Sequence, residues 1–126
     1  MGKKSTKSIR VSKNVLTNFR VAMLQKYGTL HSIAYNEWNQ ALSDRIQVMK
    51  EQLKKKDFSN DYDLDPLREH DTAITIRIDE DIIKEFRMLV VKKHGKSRGY
   101  MYKELNMALN ERAKKLIGDS EGTVIL

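Results

Sequence analysis

Shifted by 67 places without a gap, residues 8–46 lie on residues 75–113, and 12 of the 39 positions are identical. The identities are Ile9/Ile76, Arg10/Arg77, Phe19/Phe86, Arg20/Arg87, Lys26/Lys93, Gly28/Gly95, Tyr35/Tyr102, Glu37/Glu104, Asn39/Asn106, Ala41/Ala108, Leu42/Leu109 and Arg45/Arg112. Other pairs exchange like for like, among them Val11/Ile78, Val15/Ile82 and Asp44/Glu111. Two unrelated helical stretches would not hold a strand, a glycine and a second helix in one register, so the chain reads as two copies of one unit. A unit of about 45 residues is too small to hide its apolar face unaided. Each copy therefore has to bury that face against the other.

Every copy divides into three parts. Residues 7–12 (KSIRVS) and 74–79 (ITIRID) alternate branched apolar side chains with polar ones, the period-two pattern of a strand with one buried face. Ser12 and Asp79 then stand where a helix N-cap is needed, and Glu80 and Asp81 suit the positive end of the second copy's helix. Val15, Leu16, Phe19 and Met23 recur at helical spacing, as do Ile82, Ile83, Phe86, Leu89 and Val90. Gly28 and Gly95 end these helices. A longer helix follows in each copy, with its stripe on Trp38, Leu42, Ile46, Met49 and Leu53, or on Met101, Leu105, Leu109, Ala113 and Leu116.

The expected fold is mainly α with a short antiparallel β-ribbon. The two units pair strand to strand, interlock their helices and form a pseudo-dimer. The boundaries read as 1–53 for the first unit with a basic tail at 1–6, 54–71 for a charged linker holding Pro66, 72–118 for the second unit, and 119–126 for a C-terminal tail. A linker of this length reaches several tens of ångströms at ~3.3 Å per residue, which favours pairing within one chain. Exchange between two chains would satisfy the same contacts. The apolar residues at 123–126 suit either an added strand or packing on a partner.

Twenty-four Lys and Arg against 17 Asp and Glu give a formal charge of +7, a surplus that favours polyanions. With no cysteine, disulfides, thiolate metal sites and a cysteine nucleophile are excluded. Apolar runs such as residues 88–91 are far too short for a bilayer, and the N-terminus lacks a signal peptide's apolar stretch. A cytoplasmic protein is expected, with no membrane partner, no small-molecule substrate and no cofactor. Asp61, Asp63 and Asp65 alternate like the start of a calcium loop, but Pro66 and Thr72 occupy the places that need glycine and glutamate. A metal nuclease on the same aspartates lacks an acid–base pair, a nucleophile and a phosphate loop, so no enzyme is expected. His31, His70 and His94 have no metal-ligand spacing. Tyr35, Tyr102 and Trp38 read as packing groups.

The segments SIRVS and TIRID, the helix-ending YGTLHS and HGKSRG, and EWNQAL and ELNMAL resemble the ribbon-helix-helix family of transcriptional regulators. Tandem copies in one chain are most similar to regulators encoded by archaeal viruses and plasmids, whose setting would be a host cytoplasm. The resemblance implies sequence-specific binding of double-stranded DNA by a β-ribbon in the major groove, and action as a regulator, in the first instance a repressor. Arg makes paired hydrogen bonds to guanine, and Ser or Thr donate or accept. Arg10 and Arg77, with Ser8 and Thr75 beside them, are thus the expected base readers, and Thr6 and Ala73 lie at the ribbon ends. Phosphates are expected at the starts of the second helices, on Thr29, His31 and Ser32 and on Lys96, Ser97 and Arg98, with Lys7 of the basic N-terminal stretch. Further dimerisation fits the family. The alternatives are an antitoxin-like interaction protein that regulates its own synthesis and a nonspecific DNA-coating or partition protein.

Overall fold

Ser12 and Asp79 each end a strand and open a helix. The Ser12 hydroxyl accepts from the Val15 N–H (3.3 Å), and an Asp79 carboxylate oxygen accepts from the N–H groups of Asp81 and Ile82 (2.9 and 3.2 Å). Gly28 and Gly95 close those helices at φ 76° and 86°, a conformation that costs most other residues energy. The computed structural model describes residues 3–118. The order is β1 (Lys4–Val11), α1 (Lys13–Tyr27), α2 (Ala34–Lys55), a 3-10 turn (Asp65–Arg68), β2 (Thr72–Asp79), α3 (Glu80–His94) and α4 (Met101–Ile117). The apolar residues at 123–126 lie outside the described residues. No helix among the described residues is long and apolar enough to cross a membrane.

β1 and β2 form one antiparallel two-stranded sheet, with Ser8 opposite Thr75 at its middle. Its inner face carries Ile9, Val11, Ile76 and Ile78, all buried. The helices cross over between the two halves: α1 packs on α4, α3 on α2, and α2 on α4. Phe19 and Phe86 are fully buried at the centre, and Trp38 meets Phe19 edge-on at 5.5 Å. Of the apolar stripe residues named from the sequence, Ile82, Leu53 and Met101 are only half-buried and the others are buried.

Polar residues fasten the two halves. The N–H of Ser12 donates to Asn106 Oδ1 (2.9 Å), and the N–H of Asp79 donates to Asn39 Oδ1 (2.8 Å). Each strand end is therefore held by the long helix of the other half. Arg45, 1% exposed, donates to Glu104 (2.8 Å), Glu111 (2.9 Å) and Asp61 (2.8 Å). Arg112 donates to Glu37 at 2.7 Å. Lys93 joins Asp61 and Glu104 (2.6 and 2.9 Å), and His94 Nε2 lies 2.8 Å from Glu104.

Two expectations are corrected. Residues 4–6, read as a tail, belong to β1, because each meets a partner on β2 between Arg77 and Asp79. The segment 54–71 is more than a connector. Leu67 is buried, Asn106 donates to the carbonyls of Leu67 and Glu69 (3.0 and 2.8 Å), and Asp61 receives two cations. Charge and a proline gave it the composition of a linker, while its contacts are made by single residues that no periodicity announces.

Candidate nucleic-acid interface

A strand that buries alternate side chains must display the others. On β1 the displayed set is Lys4, Thr6, Ser8 and Arg10; on β2 it is Ala73, Thr75 and Arg77, all exposed. The register sets Thr6 beside Arg77, Ser8 beside Thr75, and Arg10 beside Ala73. Ser8, Arg10, Thr75 and Arg77, singled out from the sequence, are thus brought together on one outward face. Arg10 Nε donates to the His70 carbonyl (3.1 Å), a bond that uses neither of its terminal nitrogens. Lys7 belongs to the other set: it points inward, half-buried, opposite Ile76. Period two separates it from the face on which a phosphate contact was expected.

A groove runs along each side of the ribbon. One, of about 600 Å3, is lined by Lys4, Thr75, Arg77, Arg20, Ser32 and Tyr35 among others. Its counterpart, of about 700 Å3, is lined by Ser8, Arg10, Arg87, Ser97, Arg98 and Tyr102 among others. The start of α2 therefore flanks the Arg77 strand, and the start of α4 flanks the Arg10 strand. Ile33 and Tyr100 precede these helices without a side-chain cap, so their first N–H groups are not satisfied that way. Ser32 and Gly99 turn the chain into the helices at φ 64° and 86°. Thr29, His31, Ser32, Lys96 and Arg98 are exposed on these loops, and Ser97 is half-exposed. The Thr29 hydroxyl accepts from the His31 N–H (3.0 Å), a local turn bond.

Several side chains went unassigned by the sequence reading. Arg20 and Arg87 are both exposed and each lines a groove; their identity under the shift was the available signal. Tyr35 and Tyr102 line the grooves rather than the core, with the Lys4 ammonium 4.6 Å from the Tyr35 ring and the His70 ring 4.4 Å from that of Tyr102. The alternating aspartates do not converge. Asp61 is neutralised by Arg45 and Lys93, and Asp63 by Arg68 (2.8 Å to Nε).

The arrangement presents guanidinium donors and hydroxyls on the exposed face of a two-stranded ribbon, with a groove on each side that an arginine of α1 or α3 lines. Such a surface can enter a groove about 12 Å wide and grip the walls. No known protein family matches the chain, and neither curated proteins nor solved structures give a match.

Proposed function

We propose that the chain binds double-stranded DNA sequence-specifically, laying the outer face of its ribbon in the major groove, and that it acts as a transcriptional regulator. In this reading the chain is a tandem pair of ribbon-helix-helix units folded as a pseudo-dimer within one molecule. The observation that carries it is the outward face of the ribbon, where Arg10 and Arg77 stand on either side of Ser8 and Thr75. The matched contacts Asn39–Asp79 and Asn106–Ser12, and Arg45–Glu104 and Arg112–Glu37, support a two-fold relation between the units.

Each part has a distinct task. Arg10 and Arg77 read guanine through paired hydrogen bonds, each worth about 1–3 kcal/mol of discrimination. Ser8 and Thr75 make less strict contacts. The starts of α2 and α4 hold the phosphates on both sides and fix the register without reading sequence. Enrichment of sites from random duplexes, followed by titration at fixed salt, tests the reading. An enriched site should bind at least a thousandfold tighter than unrelated DNA, the lower end for specific binders. Equal affinity for both would select nonspecific coating instead.

A further inference from the structure

The two ends of the ribbon are chemically unequal. At one end Arg77 stands beside Thr6, with Lys4 next along the outward face. At the other Arg10 stands beside Ala73. The residue matching Lys4 under the 67-place shift is Asp71, whose carboxylate accepts from the Lys13 N–H (2.9 Å). One end therefore offers a cation and a hydroxyl, the other a carboxylate and a methyl group. The arginines differ as well. Arg10 is held by the His70 carbonyl, whereas among the described residues nothing hydrogen-bonds the Arg77 guanidinium. The flanking loops are unequal in the opposite sense. Lys96 and Arg98 lie in the loop beside Arg10, and Thr29, His31 and Ser32 in the loop beside Arg77.

We propose that the ribbon binds a non-palindromic DNA site in one fixed orientation, with Thr6 and Ala73 as the residues that make its two halves different. The inference rests on the DNA-binding reading and adds directionality to it. Thr6 donates or accepts a hydrogen bond at a base edge, while the Ala73 methyl can only pack, for which the thymine methyl is the natural partner. The matched arginines ask for guanine in both halves. The adjoining position then differs, with a polar edge favoured beside Arg77 and a thymine favoured beside Arg10. Pre-ordering of Arg10 lowers the entropy lost on binding in its half, and the basic loop beside it takes the phosphates there.

The absence of cysteine makes the orientation measurable. Lys13→Cys and Glu80→Cys, at opposite ends of the ribbon, each provide one attachment point for a DNA-cleaving iron chelate. On a site enriched by the full-length protein, the Lys13→Cys conjugate should cut on one side only and the Glu80→Cys conjugate on the other only. Ala73→Thr, which puts a threonine at this position in both halves, should bring cuts to the second side as well and reduce the preference between half-sites by roughly tenfold, the scale of one mismatched base pair. Equal cutting on both sides by each parent conjugate, on a palindromic enriched site, would overturn the inference and leave the DNA-binding reading standing. Unchanged one-sided cutting by Ala73→Thr would overturn the assignment to Thr6 and Ala73. Failure to enrich any site would overturn both readings.

Discussion

At the scale of single residues, buried polar groups hold the two halves together. Asn106 is fully buried and makes three hydrogen bonds, one accepted from Ser12 and two donated to carbonyls of residues 67 and 69. Asn106→Ala leaves those groups unmatched and should cost about 1–3 kcal/mol. Asn39→Ala should cost less, since Asn39 is half-buried and one bond, to Asp79, ties it to the other half. Urea unfolding of the two variants checks both the loss and its order. Arg45 is a harsher case. Arg45→Met would remove the cation shared by Glu104, Glu111 and Asp61, leaving Glu104 with Lys93 and His94, and should cost about 3 kcal/mol, the lower end for removing one partner of a buried ion pair. Both asparagines and both arginines were visible in the sequence as identities under the shift. Their roles were not, because an identical polar residue on a helix announces neither which way it faces nor what it meets. Ser8, Arg10, Thr75 and Arg77 were legible, since strand alternation alone sets their direction.

Helices and strands were the most readable level. The caps at Ser12 and Asp79 and the closing glycines at 28 and 95 occur as the local chemistry requires. The start of β1 was missed because KKSTK has no apolar alternation; cross-strand pairing with residues 77–79 extends it. The contacts of the segment 54–71 were not legible because Leu67 and Asp61 act singly. The loops before α2 and α4 give a prediction of their own. Removing Lys96 and Arg98 together should lower the slope of log affinity against log salt by about 2, if each neutralises one phosphate. Removing Arg77 should mainly reduce discrimination between sites. Titrations over a range of salt separate these two effects.

For the whole molecule, the crossed packing of α1 on α4 and α3 on α2 gives the two halves one shared core. Pairing within one chain predicts a thermal midpoint that does not change with protein concentration; exchange between chains predicts one that rises. The ionic core sets the response to acid. Burial pushes the Glu104 carboxyl up, but Arg45, His94 and Lys93 outweigh it and hold it below the usual glutamate range. Burial is likewise overcome at Glu37 by Arg112 and Tyr27, and at Asp61 by Lys93, Arg45 and Gln52. The unfolded chain takes up protons before these three do, so their stabilisation is present above the ordinary carboxylate range, about pH 4, and is lost as pH falls through the lowered native values. Glu111 has the opposite sign: burial, with Glu104 and Asp61 nearby, raises it despite Arg45, so its contribution is lost as pH rises through the raised value. Three groups against one predict a loss of stability in acid, which midpoints measured between pH 3 and 7 will check. Sequence-specific binding requires the outward ribbon face to meet base edges. Guanine N7 methylation interference on an enriched site, with the parent and with the Arg10→Ala/Arg77→Ala double variant shown by circular dichroism to be folded, measures this most directly. The account predicts interference at guanines in both half-sites for the parent and its disappearance for the variant; the same interference pattern with both proteins would contradict it.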